Sequence, residues 1–302
     1  LTTSKASTFY KLKPINKGDT LYALIETISG DLRPVLSLAD YGNKIMSTGN
    51  WAGLQKNASL QHTFEDTSQN NRLIVASGQS NGNVTAGSFR LLLGINSPEV
   101  ITGEANISGQ SIVAEPIKLK MGVELDQITS VNQKEQDFDV VANIWMTWND
   151  PELAFSPQQC NCSYKICRSV DQFVQDYGSA FPEFTIYNQQ GNRWTQNRII
   201  LLNSNGTTTY FERFWVKLQA PDFDFRKYPL DIQDFYIHID SLYPEDYYLY
   251  EKWPEKTEIG KQLGEEEWYI TASDTNISNI NIQDSNSRYS LPLPGKTSSL
   301  IL

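Results

Sequence analysis

What the chain lacks narrows its options first. No run approaches the roughly 18 to 20 consecutive apolar residues that carry a helix across a bilayer, and Leu1 leads straight into polar Thr2, Thr3, Ser4 and Lys5 with no apolar stretch of a signal peptide. Histidine is nearly absent: His62 and His238 stand alone, which leaves a histidine-based hydrolase little to work with. Only three cysteines occur, Cys160, Cys162 and Cys167. They do not form the paired Cys-x-x-Cys elements of structural zinc, and a local disulfide between Cys167 and one of the other two is expected in an oxidising compartment. Basic residues are in deficit, with 25 Lys and Arg against 35 Asp and Glu. A net charge of -10 argues against nucleic acid as a partner, because phosphate contacts need a basic surface.

What is present points to folded β-structure. Apolar residues make up 39% and aromatic residues 12% of 302, enough to bury cores and long enough for two domains. The charge is unevenly spread: up to Ile112 there are 9 basic and 8 acidic residues, and from Val113 onward 16 and 27. The acidity belongs to the second part. Gly103 to Gln110 is small and polar at the same place, so the boundary is expected near Ser111, giving domains 1–110 and 111–302.

Helical periodicity is confined to Ser169 to Tyr177, whereas alternating strand patterns recur throughout, divided by turns such as Ser29-Gly30, Gln190-Gly191-Asn192 and Asn205-Gly206. The fold class expected is all-β, two tandem β-sandwiches: an N-terminal jelly-roll-like module, then an immunoglobulin-like ligand-binding sandwich. In the strand at 137–148, Phe138, Val140, Ala142, Ile144, Met146 and Trp148 share one face, and Trp145 stands among Asp139, Asn143 and Thr147 on the other. The strand at 207–219 repeats this, with Phe211 and Trp215 among Thr209, Arg213 and Lys217. Aromatic rings set on polar faces fit a recognition surface, and they fit ordinary interface packing nearly as well.

Gly18-Asp19-Thr20-Leu21-Tyr22-Ala23-Leu24-Ile25, the stretch from Ser29 to Leu38, and Ala86-Gly87-Ser88-Phe89-Arg90-Leu91-Leu92-Leu93-Gly94 resemble the bacterial pre-peptidase C-terminal domain, a jelly-roll sandwich. That resemblance implies a binding or spacer module without chemistry of its own.

A second resemblance covers about 117–302. Gly122-Val123-Glu124-Leu125-Asp126-Gln127-Ile128, Asn132-Gln133-Lys134-Glu135-Gln136-Asp137-Phe138, Trp148-Asn149-Asp150-Pro151-Glu152-Leu153, Phe181-Pro182-Glu183-Phe184-Thr185-Ile186-Tyr187-Asn188 and Tyr228-Pro229-Leu230-Asp231-Ile232-Gln233 follow in the order of the pentameric ligand-gated ion channel (Cys-loop receptor) extracellular domain. Pro221 and Phe235 occupy the places of the family's loop cysteines, as in bacterial members.

The resemblance implies a channel rather than an enzyme. It implies a homo-oligomer, a pentamer, on the periplasmic face of the bacterial inner membrane, continuing into four transmembrane helices and a pore beyond this chain. A small-molecule effector would bind between subunits. Tyr187, Leu242, Tyr243 and Tyr289 would form its principal side, and Asn143, Trp145, Thr209 and Phe211 its complementary side. Such walls suit an amine or other organic cation through cation–π attraction. Tyr228, Pro229 and Asp231, with Gln133 and Lys134, would couple binding to the pore. Acidic clusters at Asp222 and Asp224, Glu245 and Asp246, and Glu265 to Glu267 allow Ca2+ at a subunit interface, or are plain surface acidity. The competing expectation is a secreted carbohydrate-binding or adhesin-like tandem sandwich that stacks Trp145, Trp194 and Trp215 on sugars.

Overall fold

Strict alternation of apolar and polar residues puts every second side chain on one face of a strand, and two such faces stabilise each other only by closing on a shared core. The chain does this twice in a computed structural model that describes residues 1–2, 6–40, 44–50, 57–67, 71–80, 82–105, 111–177, 181–220, 232–245, 247–260, 273–281 and 296–301. The first set of strands runs β1 (Ser7–Lys11), β2 (Thr20–Thr27), β3 (Pro34–Ala39), β4 (Ile45–Asn50), β5 (Asn57–Thr63), β6 (Arg72–Ser77), a small hairpin of β7 (Gln79–Ser80) and β8 (Asn83–Val84), and β9 (Phe89–Ile95). Antiparallel sheets ordered β1-β6-β3-β4 and β5-β2-β9 enclose Leu36, Leu38, Leu73 and Val75 from one side and Leu21, Ala23, Ile25 and Leu60 from the other.

After helix α1 (Glu99–Thr102) come β10 (Ile117–Asn132), β11 (Asp137–Asn149), helix α2 (Pro157–Cys160), β12 (Tyr164–Cys167), helix α3 (Val170–Tyr177), β13 (Phe184–Ile186), β14 (Gln189–Asn203) and β15 (Thr207–Gln219). They are followed by β16 (His238–Pro244), β17 (Tyr248–Lys252), β18 (Glu258–Ile259), β19 (Asn276–Asn281) and β20 (Lys296–Ile301). One sheet has the order β12-β14-β15-β11-β10-β17, with β18 also on β10, and a second the order β13-β16-β20-β19. Val140, Ala142, Ile144 and Met146 of β11 and Tyr210, Phe214, Val216 and Leu218 of β15 build the second core with Ile186, Ile239 and the α3 residue Phe173. The protein is all-β, and the helix expected near 169–177 is the longest described. No described helix is long and apolar enough to cross a membrane.

Three local expectations meet different outcomes. Cys160 bonds to Cys162, not to Cys167, so the expected pairing is corrected. Cys167 ends β12 opposite Ile200 with its thiol turned into the core, while Asn161 at φ 52° folds Cys160 and Cys162 together outside it. The strand expected at 232–240 starts only at His238, since Asn188 donates to the Tyr236 carbonyl and accepts from the His238 amide, replacing ladder bonds there. The linker at 106–110 lies outside the described residues.

Gly206 closes the β14–β15 hairpin at φ +85°, and a Cβ there would run into the Asp150 carbonyl. Gly206→Ala is therefore expected to destabilise the chain by about 1–3 kcal/mol, read as a lower urea midpoint.

Candidate functional site

Antiparallel registry decides which outward side chains meet. β11 lies between β10 and β15, with Trp145 opposite Gly122 on one side and Phe211 on the other, Asn143 opposite Glu124 and Arg213, and Thr147 opposite Thr209. Four complementary-side residues expected from the sequence thus share one patch. The Trp145 and Phe211 rings are tilted with centroids 4.5 Å apart, and Thr147 and Thr209 hydroxyls are 3.5 Å apart. Asn143 is buried beneath the charges around it: its amide donates to Glu124 Oε2 at 3.1 Å and Asp126 Oδ1 at 3.2 Å. The Trp145 indole N–H points to the same Glu124 oxygen at 3.4 Å. Arg213 is ion-paired with Asp126 and donates from Nε to Gln196 Oε1 at 3.0 Å.

A cation of the chain itself lies over the Trp145 ring. Lys256 Nζ lies 4.1 Å from the centre of the Trp145 ring. It is delivered by the 3-10 turn Pro254–Lys256, whose backbone rests on Gly122, where a Cβ would come within 2.6 Å of the Lys256 carbonyl. Only a side chain as small as hydrogen lets the turn lie on β10 at the level of Trp145. No sequence pattern announced Lys256; a glycine inside a strand facing a tryptophan was the available signal.

Of the residues expected on the principal side, Leu242 and Tyr243 lie on β16 and Tyr187 just after β13, strands of the other sheet. Tyr187 is 59% exposed at the end of β13, its ring 5.1 Å from His238, whose carbonyl accepts the Tyr187 amide at 2.7 Å. His238 Nε2 stands 3.0 Å from Asp240 Oδ1. Leu242 is half-buried, held by its amide to the Glu183 carbonyl at 2.9 Å. Tyr243 is buried, stacked on Tyr247. Gln133 and Lys134 are exposed in the turn between β10 and β11. Tyr289, Tyr228, Pro229 and Asp231 lie outside the described residues. So do the acidic clusters except Glu245, and no group of three His, Cys, Asp or Glu suited to a metal occurs among the described residues.

A second buried cluster escaped the sequence reading. Glu212 sits on the inward face of β15, 0% exposed, accepting from Tyr210 Oη at 2.7 Å, Thr195 Oγ1 at 2.5 Å and Arg198 Nη2 at 2.9 Å, with Arg193 Nη2 at 3.2 Å. Burial alone would raise its pKa, but Arg193 and the hydrogen bonds from Thr195, Arg198 and Tyr210 outweigh that and hold it below the usual glutamate value. Arg193 also lies over the Phe184 and Phe214 rings, tying the two sheets together. The available signal was a carboxylate on a face otherwise formed by Tyr210, Phe214, Val216 and Leu218.

Known proteins of related sequence bear on this geometry. The family model of the neurotransmitter-gated ion-channel ligand binding domain matches residues 106–292. The chain is 29% identical over 128 residues to a proton-gated ion channel of Gloeobacter violaceus, covering 42% of this chain and 33% of that protein. It is 24% identical over 135 residues to the gamma-aminobutyric acid receptor subunit pi of Rattus norvegicus, covering 42% of this chain and 28% of that one. The matched region spans about a third of the length of these curated relatives.

Proposed function

The chain belongs to the neurotransmitter-gated ion-channel ligand binding domain family, and from that premise we propose that it is the effector-sensing part of a bacterial ligand-gated ion channel. Five copies stand side by side on the periplasmic side of the inner membrane, and the pore is formed by transmembrane helices beyond this chain. Residues 111–302 form the sensing domain and residues 1–110 a separate jelly-roll-like domain ahead of it, a division supported by the two hydrophobic cores. It is a receptor component, not an enzyme.

The observation that carries the reading is the split site. Trp145, Phe211 and Lys256 are displayed on the outward face of one sheet, and Tyr187 beside His238 on the other. Each half is one wall only, the first capped by Lys256 of its own chain, and a neighbour's opposite half faces it across the seam. An effector bound in that seam shifts a closed-to-open equilibrium only by as much as it prefers the open form. The two relatives suggest the probes: protons for one, gamma-aminobutyric acid for the other.

Current recorded from the full-length protein in lipid during acid steps and amine addition tests the gating. A responsive pentamer is the expected result; a silent channel, or a monomer in light scattering that binds glycans through exposed Trp194, would overturn it. Since Lys256 already caps Trp145, an amine must displace it. Lys256→Ala is expected to raise amine sensitivity and Trp145→Ala to lower it, each by about 2- to 30-fold, the span of a 0.5–2 kcal/mol cation–π contact, read as the half-maximal concentration.

A further inference from the structure

Burying an arginine and a lysine costs several kcal/mol unless the receiving site is built for them. Arg72 and Lys11, directly opposite each other on β6 and β1, are 1% and 3% exposed, and both leave their own sandwich to enter the second one. Lys11 Nζ is 3.2 Å from Asp150 Oδ2, itself 2% exposed. The Arg72 guanidinium carbon lies 4.6 Å from the Tyr243 ring centre and 4.8 Å from that of Tyr247, and these two rings stack on one another. Backbone closes the same joint: Lys13 donates to Ile112, Ala114 donates to Lys11, and Leu12 bridges to Val113.

The segment gripped in this way is not remote from the effector face. The Ser241 hydroxyl donates to the Tyr243 carbonyl and accepts its amide, and the Tyr247 carbonyl takes the Ile117 amide, so both tyrosines are anchored through their backbone as well. β16 runs from Tyr243 back to His238 beside Tyr187, roughly 17 Å at strand rise.

We propose that Arg72 and Lys11 are positioning residues through which the N-terminal sandwich holds Tyr243 on β16 and Tyr247 beyond it, making that sandwich a built-in regulatory arm acting on the effector face along β16. Arg72 supplies what a lysine cannot, a planar guanidinium spread over two rings at once. The inference rests on the channel reading only for where β16 leads; the grip itself is a property of this chain.

Amide hydrogen exchange tests it without any current. In Arg72→Ala, exchange over 238–252 and 184–188 is expected to rise about tenfold while β11 and β15 keep their protection. Arg72→Lys, which keeps the charge and the fold, is expected to give a smaller rise confined to the same segments. Unchanged exchange there in Arg72→Lys, or a rise spread evenly over both cores, overturns the proposal. In a channel shown to respond, Arg72→Lys is further expected to move the half-maximal effector concentration at least about threefold with maximal current kept, a readout that general destabilisation would not produce; an unmoved concentration counts against the arm and leaves the channel standing.

Discussion

Asp150→Ala is expected to destabilise the chain by about 3–5 kcal/mol, because removing one partner of a buried ion pair strands the other in low dielectric. Lys11 has no route to water at 3% exposure, and Asp150 Oδ2 at 3.2 Å is its ion-pair partner. Asp150 is also a helix cap, since its Oδ1 accepts the Glu152 amide at 3.1 Å at the start of the 3-10 turn Pro151–Leu153. The two contributions separate by substitution. Asp150→Asn keeps the cap and loses the charge, so it recovers only the capping part, about 1 kcal/mol. Lys11→Met combined with Asp150→Leu removes both charges and is expected to restore most of the loss, as apolar replacement of buried pairs does elsewhere. Urea unfolding should be followed with one probe per core, since the two cores need not melt together. A loss under about 1 kcal/mol for Asp150→Ala would show that Lys11 finds water or another partner, and that the joint between the sandwiches is loose.

Glu212→Gln carries the second large effect, about 3–5 kcal/mol at neutral pH, and it comes with a pH signature. Two arginines converge on this carboxylate, and an amide would turn N–H donors toward them. The sign follows from linkage. The folded-state pKa of Glu212 lies below its ordinary value of 4.5, so its stabilisation is fully present above that value and disappears as pH falls through the depressed folded value. The wild type should therefore lose stability on the acid side, while Glu212→Gln lacks that limb, and the two curves should converge in strong acid. Thermal midpoints from neutral pH down through the carboxylate range give the measurement. Parallel curves would mean that Glu212 is not held ionised by Arg193 and Arg198. Because the group stays charged through the mildly acidic range, Glu212 itself is not expected to be the group that a gating proton would titrate.

How much of this was legible beforehand depends on distance along the chain. A strand declares its two faces through neighbours only two residues away, so the inward set Phe138, Val140, Ala142, Ile144 and Met146, and the outward placement of Trp145 and Phe211, could be read directly, and both strands appear as expected. The short helix ending at Tyr177 and the hairpin at Gly206 were legible for the same reason, because they depend on local spacing and turn chemistry. From those faces an all-β chain with aromatic rings set among polar residues on the outward side of two neighbouring strands could be read.

Partnerships between segments far apart were not legible, since nothing local records which surfaces will dock. Lys11 and Asp150 are separated by 139 residues and look like ordinary surface charges on paper. Tyr243, expected from the resemblance on the principal side of an effector site, is buried with Arg72 of the other sandwich over its ring. Lys256 gives no hint of Trp145, which becomes its neighbour only because Gly122 lets a turn lie on β10. Cys167 could not be told from Cys160 and Cys162 until β12 turned its thiol inward against β14. Local periodicity settles which side of a strand is wet, by the pleat alone; which charge meets which ring is settled when sheets close, because the desolvation that makes those contacts strong exists only in the assembled fold.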